Sequence, residues 1–263
     1  MNDKIRERFL EISGKKIFTI EAGERGKKSI VFVHGNFASS KWFFPVFELL
    51  AGEYHCIAPD LPNFGRSDRL EGFSIKSYAD FVIGVIENVG LERVHFVGHS
   101  LGGAVVQSIM VSRPDMVKKA ALVDPAPPDG LETPEEVYPY LEMYKGNREL
   151  LKKAIIGVMP TRPPDSFTEL LVDEALMMDS RCFVENARAL DAYDFTDELK
   201  GNETPVLVFY GKQDTIVTEE MVKKFEAIMP NVILKIYEDC GHSINVEKPV
   251  IFTEELVRFL NSE

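Results

Sequence analysis

The sequence has few cysteines and no long apolar run, and each deficit excludes a class of protein. Three of the 263 residues are cysteines, Cys56, Cys182 and Cys240. This odd number, without a C-x-x-C pair, favours neither a disulfide framework nor a zinc site. No apolar run reaches the roughly 18 to 20 residues that cross a bilayer, and the first residues lack the apolar stretch of a signal peptide. We therefore expect a cytoplasmic protein with reduced thiols and no membrane span.

Basic residues are also scarce relative to acidic ones. Thirty Lys and Arg residues stand against 42 Asp and Glu residues, which gives a net charge of −12 at pH 7. A surface with this charge repels a phosphate backbone, so nucleic acid is not expected as a partner. Hydrophobic residues make up 45% and charged residues 27% of the chain, as is ordinary for a globular protein with one large core.

Short apolar runs alternate with helical stretches along most of the chain. Two β-like runs, residues 8–12 and 16–21, flank Ser13 and Gly14 and predict an antiparallel hairpin. Four continuous apolar runs follow, at residues 29–33, 55–58, 94–97 and 120–123. Runs of this kind are typical of strands that are covered on both faces in a parallel sheet. Because helical stretches separate them, the sequence predicts a mostly parallel, doubly wound α/β sheet.

The alternation stops after Asp124 and resumes with the apolar run at residues 205–210. The intervening segment is rich in proline and contains helix-like pieces but no strand pattern. We predict that residues 126–203 form an inserted helical cap, or lid, and that residues 1–125 and 204–263 form the core. The predicted cap holds 8 basic and 17 acidic residues, so its charge of −9 accounts for most of the total.

A strand-to-helix turn with a central serine is the strongest chemical signal. Residues 98–102 read G-x-S-x-G with Ser100 in the middle, directly after the strand-like run 94–97 and before a helix. Such a turn leaves little room for side chains beside the serine, and the helix N-terminus behind it favours developing negative charge. Ser100 is therefore the candidate nucleophile.

A serine needs a base and an orienting carboxylate, and the sequence offers candidates for both after strand-like runs. His242 follows the run at residues 232–237, which places it at the sheet edge where active sites of open α/β sheets collect. Asp214 follows the run at 205–210 and fits the chain order Ser, acid, His. Asp124 also ends a strand. We predict that Asp214 orients His242, with Asp124 as the alternative.

A tetrahedral intermediate needs hydrogen-bond donors for its oxyanion. The backbone N–H of Leu101, the residue after the nucleophile, supplies one donor. The loop at residues 34–37 follows the strand-like run 29–33 and is placed to supply the other. We expect this second donor to be the N–H of Asn36, with that of Phe37 as second choice.

Five motifs occur in an order that resembles a known family. They are VFVHGNFASSKWF, APDLPNFGRSD, VGHSLGG, YGKQDTIV and GHSINVEKP, spread over residues from about 30 to 250. Together they resemble the α/β-hydrolase superfamily, particularly its carboxylesterase-like branch with a helical cap after the sixth core strand. The resemblance implies a triad of Ser100, Asp214 and His242, with Asn36 and Leu101 as the oxyanion donors.

The substrate pocket is expected between the sheet edge and the predicted cap. Its predicted lining is apolar and consists of Phe37, Trp42, Met143, Phe167, Met177, Met178, Phe183, Leu190, Ile216 and Val217. An apolar cleft of this kind favours uncharged acyl groups of modest length.

The predicted function is hydrolysis of carboxylic esters with small to medium acyl chains, extending to thioesters or lactones, through an acyl-serine intermediate. Two alternatives share the triad, a C–C bond hydrolase and a cofactor-free perhydrolase. A third is a hydrolase-fold receptor that binds a ligand without turnover. No motif requires a metal or an organic cofactor. The expected partner is a small-molecule ester, and the oligomeric state stays open between a monomer and a small homo-oligomer.

Overall fold

Eight strands form a single sheet in the computed structural model, which describes residues 5–262. The strands are β1 Ile5–Ile12, β2 Lys15–Ala22, β3 Ser29–Val33, β4 His55–Pro59, β5 Val94–His99, β6 Val117–Val123, β7 Val206–Gly211 and β8 Val232–Tyr237. Their order across the sheet is β1-β2-β4-β3-β5-β6-β7-β8. β2 pairs antiparallel with β1 and with β4, and the remaining pairs are parallel. The predicted hairpin and mostly parallel sheet are confirmed.

Helices connect the strands as the alternation predicts. Within residues 5–262 they are α1 Phe44–Leu50, α2 Ile75–Asn88, α3 Leu101–Ser112, α4 Tyr138–Met143, α5 Arg148–Gly157, α6 Ser166–Leu176, α7 Cys182–Asp191, α8 Thr196–Leu199, α9 Glu219–Ile228, α10 Ile244–Glu247 and α11 Pro249–Asn261. Over this stretch, none of the helices has both the length and the apolar character needed to cross a bilayer.

Both faces of the sheet are buried, which explains why its strands read as continuous apolar runs. Val31 and Val33 of β3 join an apolar cluster with residues of α2 and α3. Their neighbours Ile30 and Phe32 point the other way, into a second cluster with residues of α1 and α11. Successive strand residues alternate between faces, so an unbroken apolar run is what a strand buried on both sides requires.

Helices α4 to α8 lie between β6 and β7 in the chain, and we call residues 126–203 the helical insertion. Two of its helices begin at side chains that satisfy free backbone N–H groups. Asn147 accepts a hydrogen bond from the Leu150 N–H at the start of α5. Asp165 accepts two at the start of α6, and Thr168 bonds back to the Asp165 N–H. Such caps favour helix starts in a segment where prolines interrupt the chain.

A buried ion-pair cluster joins the helical insertion to the core. The carboxylate of Glu174 in α6 is 2% exposed and accepts hydrogen bonds from Lys41 at 2.8 Å and from Arg66 at 3.2 Å. Lys41 precedes α1, and Arg66 lies between β4 and α2. A buried charge is costly unless it is paired, so the three side chains hold the insertion in one position on the core.

Candidate active site

Ser100 occupies a sharp turn between β5 and α3. Its φ of 53° and ψ of −117° lie in a region that residues with a side chain rarely adopt. Two glycines make the turn possible, because a Cβ at Gly98 would lie 2.6 Å from the backbone oxygen of Gly102. A Cβ at Gly102 would in turn overlap the backbone oxygen of Val33. The glycines of the G-x-S-x-G motif therefore let three backbone segments approach closely beneath the serine.

His242 and Asp214 form a buried hydrogen-bonded pair. The Nδ1 of His242 lies 2.6 Å from the Oδ2 of Asp214, and the two side chains are 4% and 0% exposed. The other oxygen of Asp214 accepts from the backbone N–H groups of Ile216 and Val217, at 2.7 and 3.2 Å. Because a carboxylate accepts from Nδ1–H, the Nε2 of the neutral imidazole is left as the proton acceptor.

Asp124, the competing carboxylate, lies beside this pair. One of its oxygens accepts from the Gly211 N–H at 2.9 Å, and the other has no hydrogen-bond partner among the described residues. Burial and the charge of Asp214 together raise the pKa of the Asp124 carboxyl well above its usual range. Of the two carboxylates that the sequence left open, Asp214 is thus the one bonded to His242, and Asp124 lies next to it with a raised pKa.

Asp124, Asp214 and His242 also form a potential metal-binding group. Their ligand atoms lie within 4.8 Å of one another. Binding a cation would require His242 Nδ1 to give up its hydrogen bond to Asp214, and the raised pKa of Asp124 opposes the ionised form that a metal ligand needs. The donor set therefore fits a hydrogen-bonded triad better than a metal centre.

His99 ties the turn of the nucleophile to the loop of the base. Its Nε2 lies 2.8 Å from the backbone oxygen of His242, which can only accept, so this nitrogen carries the proton. The ring stacks on Trp42 with 5.7 Å between centroids, and burial lowers the pKa of His99 to about 3. A neutral His99 thus fixes the position of the His242 backbone. No sequence motif indicated that His99 would hold the backbone of His242.

His34 holds the start of the loop at residues 34–37, which is predicted to supply an oxyanion donor and which we call the oxyanion loop. Its Nε2 accepts from the Leu61 N–H at 2.9 Å, and its Nδ1 therefore donates to the Gly35 carbonyl at 2.8 Å. Both bonds use the neutral imidazole, and complete burial lowers the pKa of His34 to about 4. The ring thereby connects the loop after β3 to the loop after β4.

The predicted oxyanion donors belong to Leu101, which follows Ser100 in the chain, and to Asn36, which lines the same cavity as Ser100. The N–H of Leu101 belongs to the first turn of α3, where backbone donors have no partner within the helix. The N–H of Phe37 donates to the side-chain oxygen of Asn36 at 3.1 Å. This bond occupies the second-choice donor and favours the backbone N–H of Asn36 for the oxyanion.

Asn186 of the helical insertion also contacts this loop. Its Nδ2 donates to the same side-chain oxygen of Asn36 at 2.9 Å. Sequence reasoning missed Asn186, because it lies in a helix without a recognisable motif.

A cavity of about 410 Å³ opens above Ser100 and His242. Its further lining comes from the sheet edge and the helical insertion, and consists of Asn36, Phe37, Trp42, His99, Leu131, Thr133, Val137, Leu141, Tyr144, Ala154, Ile155, Gly157, Val158, Ala187, Leu190, Thr215 and Ile216. Among these described residues there is no Lys, Arg, Asp or Glu. The cavity is therefore suited to an uncharged, mainly apolar ligand.

Only part of the predicted pocket lining meets this cavity. Phe37, Trp42, Leu190 and Ile216 line it. The structure places the others elsewhere, namely Met143, Phe167, Met177, Met178, Phe183 and Val217. Met143, the last residue of α4, is 55% exposed, and Met177, just after α6, is 36% exposed, whereas Met178, Phe183 and Val217 are buried in the core. Phe167 packs at the edge of that core.

Comparisons with known proteins give one family. The profile described as "Alpha/beta hydrolase family" matches residues 30–255. The bifunctional esterase/perhydrolase of Acinetobacter calcoaceticus is 28% identical, over 95% of this chain and 97% of that protein. A carboxylesterase of Bacillus subtilis is 24% identical, over 93% of this chain and 84% of that protein.

Solved structures agree with the sequence comparison. The esterase from Exiguobacterium antarcticum superimposes with a TM-score of 0.89, at 23% identity, over 98% of this chain and all of that one. At such identity the likeness concerns the fold alone. The profile match covers most of the chain, so the protein belongs to the α/β hydrolase family.

Proposed function

We propose that this protein is a serine hydrolase that cleaves carboxylic esters of small to medium acyl chains. The observation that carries the proposal is the buried pair of Asp214 and His242, which opens onto the same cavity as Ser100. The relatives named as an esterase/perhydrolase and a carboxylesterase support the same chemistry.

The geometry supports an acyl-transfer mechanism. The Ser100 hydroxyl attacks the ester carbonyl carbon while the Nε2 of His242 takes its proton, and Asp214 stabilises the resulting imidazolium. The tetrahedral intermediate collapses as His242 returns the proton to the leaving alcohol, which leaves an acyl-serine. Water then attacks this ester by the same route, and the carboxylic acid departs. The backbone N–H groups of Asn36 and Leu101 bind the oxyanion in both halves of the reaction.

The helical insertion forms the cap in this proposal. Residues of α4, α5 and α7 supply much of the apolar lining, including Leu141, Ile155 and Leu190. A carboxylate or ammonium group on the substrate would be desolvated there without an opposite charge. The expected substrates are therefore neutral esters, together with thioesters or lactones of similar size.

Hydrolysis of p-nitrophenyl esters tests this proposal. We expect turnover of the acetate, butyrate and octanoate, a burst of p-nitrophenol, and labelling of Ser100 by a fluorophosphonate. Ser100→Ala should lose about 10⁶-fold in kcat, as expected when a triad nucleophile is removed. A variant that retains the wild-type rate would contradict the assignment, and a wild-type protein that is neither labelled nor active would indicate a ligand receptor instead.

Perhydrolysis is a second candidate function, favoured by the esterase/perhydrolase relative. Hydrogen peroxide would replace water in the second step, so that the acyl-serine yields a peracid and regenerates the hydroxyl of Ser100. We expect bromide oxidation that depends on both acetate and peroxide. If Ser100→Ala oxidised bromide as fast as the wild type, the oxidation would not proceed through the acyl-serine.

A further inference from the structure

A chain of buried hydrogen bonds leads from the core, through the helical insertion, to the oxyanion loop. The hydroxyl of Tyr78 in α2 donates to the side-chain oxygen of Asn186 at 2.7 Å. The Nδ2 of Asn186 then donates to the side-chain oxygen of Asn36 at 2.9 Å. Tyr78 and Asn186 are both completely buried. A buried amide that is satisfied at both ends has a fixed orientation, since any rotation would leave polar atoms unpaired.

The last hydrogen bond of this series reaches Asn36, which lies next to a strained turn at Phe37. Phe37 has a φ of 55°, in the left-handed region that is unfavourable for a residue with a bulky side chain. Its N–H donates to the same Asn36 oxygen that accepts from Asn186. The aromatic ring of Phe37 packs against Phe183 and Tyr144 of the insertion, with centroids 5.1 and 5.7 Å apart.

We infer that Asn186 is a positioning residue for ester hydrolysis, because it holds the Asn36 side chain and thereby directs the Asn36 backbone N–H toward the oxyanion. This inference rests on the proposed function. The insertion then does more than cover the pocket, since one of its side chains completes the alignment of a donor that belongs to the core. The Asn36 side chain has its hydrogen bond to Asn186 only while the insertion is docked.

The test is to replace Asn186 by Ala and to measure kcat and KM separately with p-nitrophenyl butyrate. A misdirected oxyanion donor weakens transition-state binding, so we expect kcat to fall by about 10- to 100-fold while KM changes by less than about threefold. The affinity for a trifluoromethyl ketone, which adds to Ser100 and forms an oxyanion, should fall by a similar factor. Binding of the matching alcohol, which has no oxyanion, should stay within about twofold.

Asn147→Ala is the matched control. Asn147 caps α5 in the same insertion and contacts neither Asn36 nor Phe37 within the described hydrogen bonds. Loss of this cap weakens the start of α5 without removing a hydrogen bond of the oxyanion loop. A purely structural role for Asn186 predicts that both variants change kcat equally, and this result would overturn the inference.

A readout independent of turnover separates this inference from the proposed function. Hydrogen exchange at the amides of Asn36 and Phe37 should be faster in Asn186→Ala than in the wild type and in Asn147→Ala. Unchanged exchange would reject the positioning role even in a fully active enzyme. Conversely, faster exchange in a protein without esterase activity would support the positioning of the loop and contradict only the ester-cleaving function.

Discussion

The carboxyl edge of the sheet and the helical insertion contribute to the candidate site in different ways. At the sheet edge, Ser100 follows its strand directly, and Asp214 and His242 follow theirs within five residues. Ser100 occupies a strained turn, and two backbone N–H groups hold the Asp214 carboxylate. The insertion supplies apolar side chains from several helices and from the turns between them. The chemistry of the site thus depends on a few side chains in fixed positions. The size of the ligand depends on many side chains that can be replaced.

The two regions also differ in charge. The insertion carries −9 of the total charge of −12, yet the cavity beneath it is lined by no acidic or basic residue apart from histidines, among the residues described. The charged side chains of the insertion thus lie away from the cavity. The following predictions test how far chemistry, docking and selectivity can be separated between the two regions.

The largest difference in kcat is expected between variants of Asp214 and Asp124, the two carboxylates of the sheet edge. Asp214→Asn removes the charge that selects the His242 tautomer, so we expect kcat for p-nitrophenyl butyrate to fall about 10⁴-fold. Asp124 has a raised pKa and makes no hydrogen bond to the imidazole within the described residues, so Asp124→Asn should lower kcat by less than about tenfold. Equal losses in the two variants would show that the site depends on both charges.

The contact between the regions is expected to depend on Glu174. Glu174→Gln leaves the buried ammonium of Lys41 without a counter-charge, and we expect the free energy of unfolding to drop by about 3 to 5 kcal/mol. The double variant Lys41→Met with Glu174→Leu removes both charges and should recover most of this loss. Urea unfolding measures both values, and a double variant as unstable as Glu174→Gln would contradict the pairing argument.

The free energy of unfolding is expected to depend on pH through His34, which lies on the core side of the site. His34 has a pKa of about 4 when folded, against about 6.5 when unfolded, so the unfolded state binds more protons between these values. Stability present above about pH 6.5 is therefore lost as the pH falls toward 4, and this group contributes about 3 kcal/mol to the loss. In urea unfolding, His34→Gln should show a weaker decline over this window. The same decline in both proteins would rule out His34 as the titrating group.

The smallest effect, on the selectivity for acyl-chain length, is expected from a substitution in the insertion. Leu190→Trp fills part of the cavity, so we expect kcat/KM for the octanoate ester to fall about tenfold relative to that for the acetate ester. Met177→Trp is the matched control, because Met177 is exposed and does not line the cavity within the described chain. If both variants shifted the ratio equally, the acyl group would bind outside this cavity.

Much of the fold could be predicted from the sequence, because the strands are buried on both faces and therefore appear as unbroken apolar runs. The strands Ser29–Val33 and Val232–Tyr237 have the bounds that the pattern gives. Chain order fits both carboxylates, since Asp124 and Asp214 both lie between Ser100 and His242. The family resemblance favoured Asp214, and only coordinates could show which carboxylate meets the imidazole.

Sequence reasoning was weakest in the insertion. Met143 and Met177 have the apolar character of pocket residues, yet they lie at the ends of α4 and α6 and are exposed, and no local motif fixes which way such end residues point. Asn186 carried a faint signal, because it is polar on a helix face it shares with Cys182 and Phe183, which are buried. A buried asparagine among apolar neighbours requires partners, but the sequence does not say which ones.

The acidic surface of the insertion has a consequence for the end of each catalytic cycle. Ester cleavage turns a neutral reactant into an anion, and the cavity provides no cation to retain it. The net negative charge of the insertion that covers the cavity then favours departure of the newly formed acid over its return. Accumulating acid should therefore inhibit the enzyme less than the alcohol does, and added salt should narrow this difference.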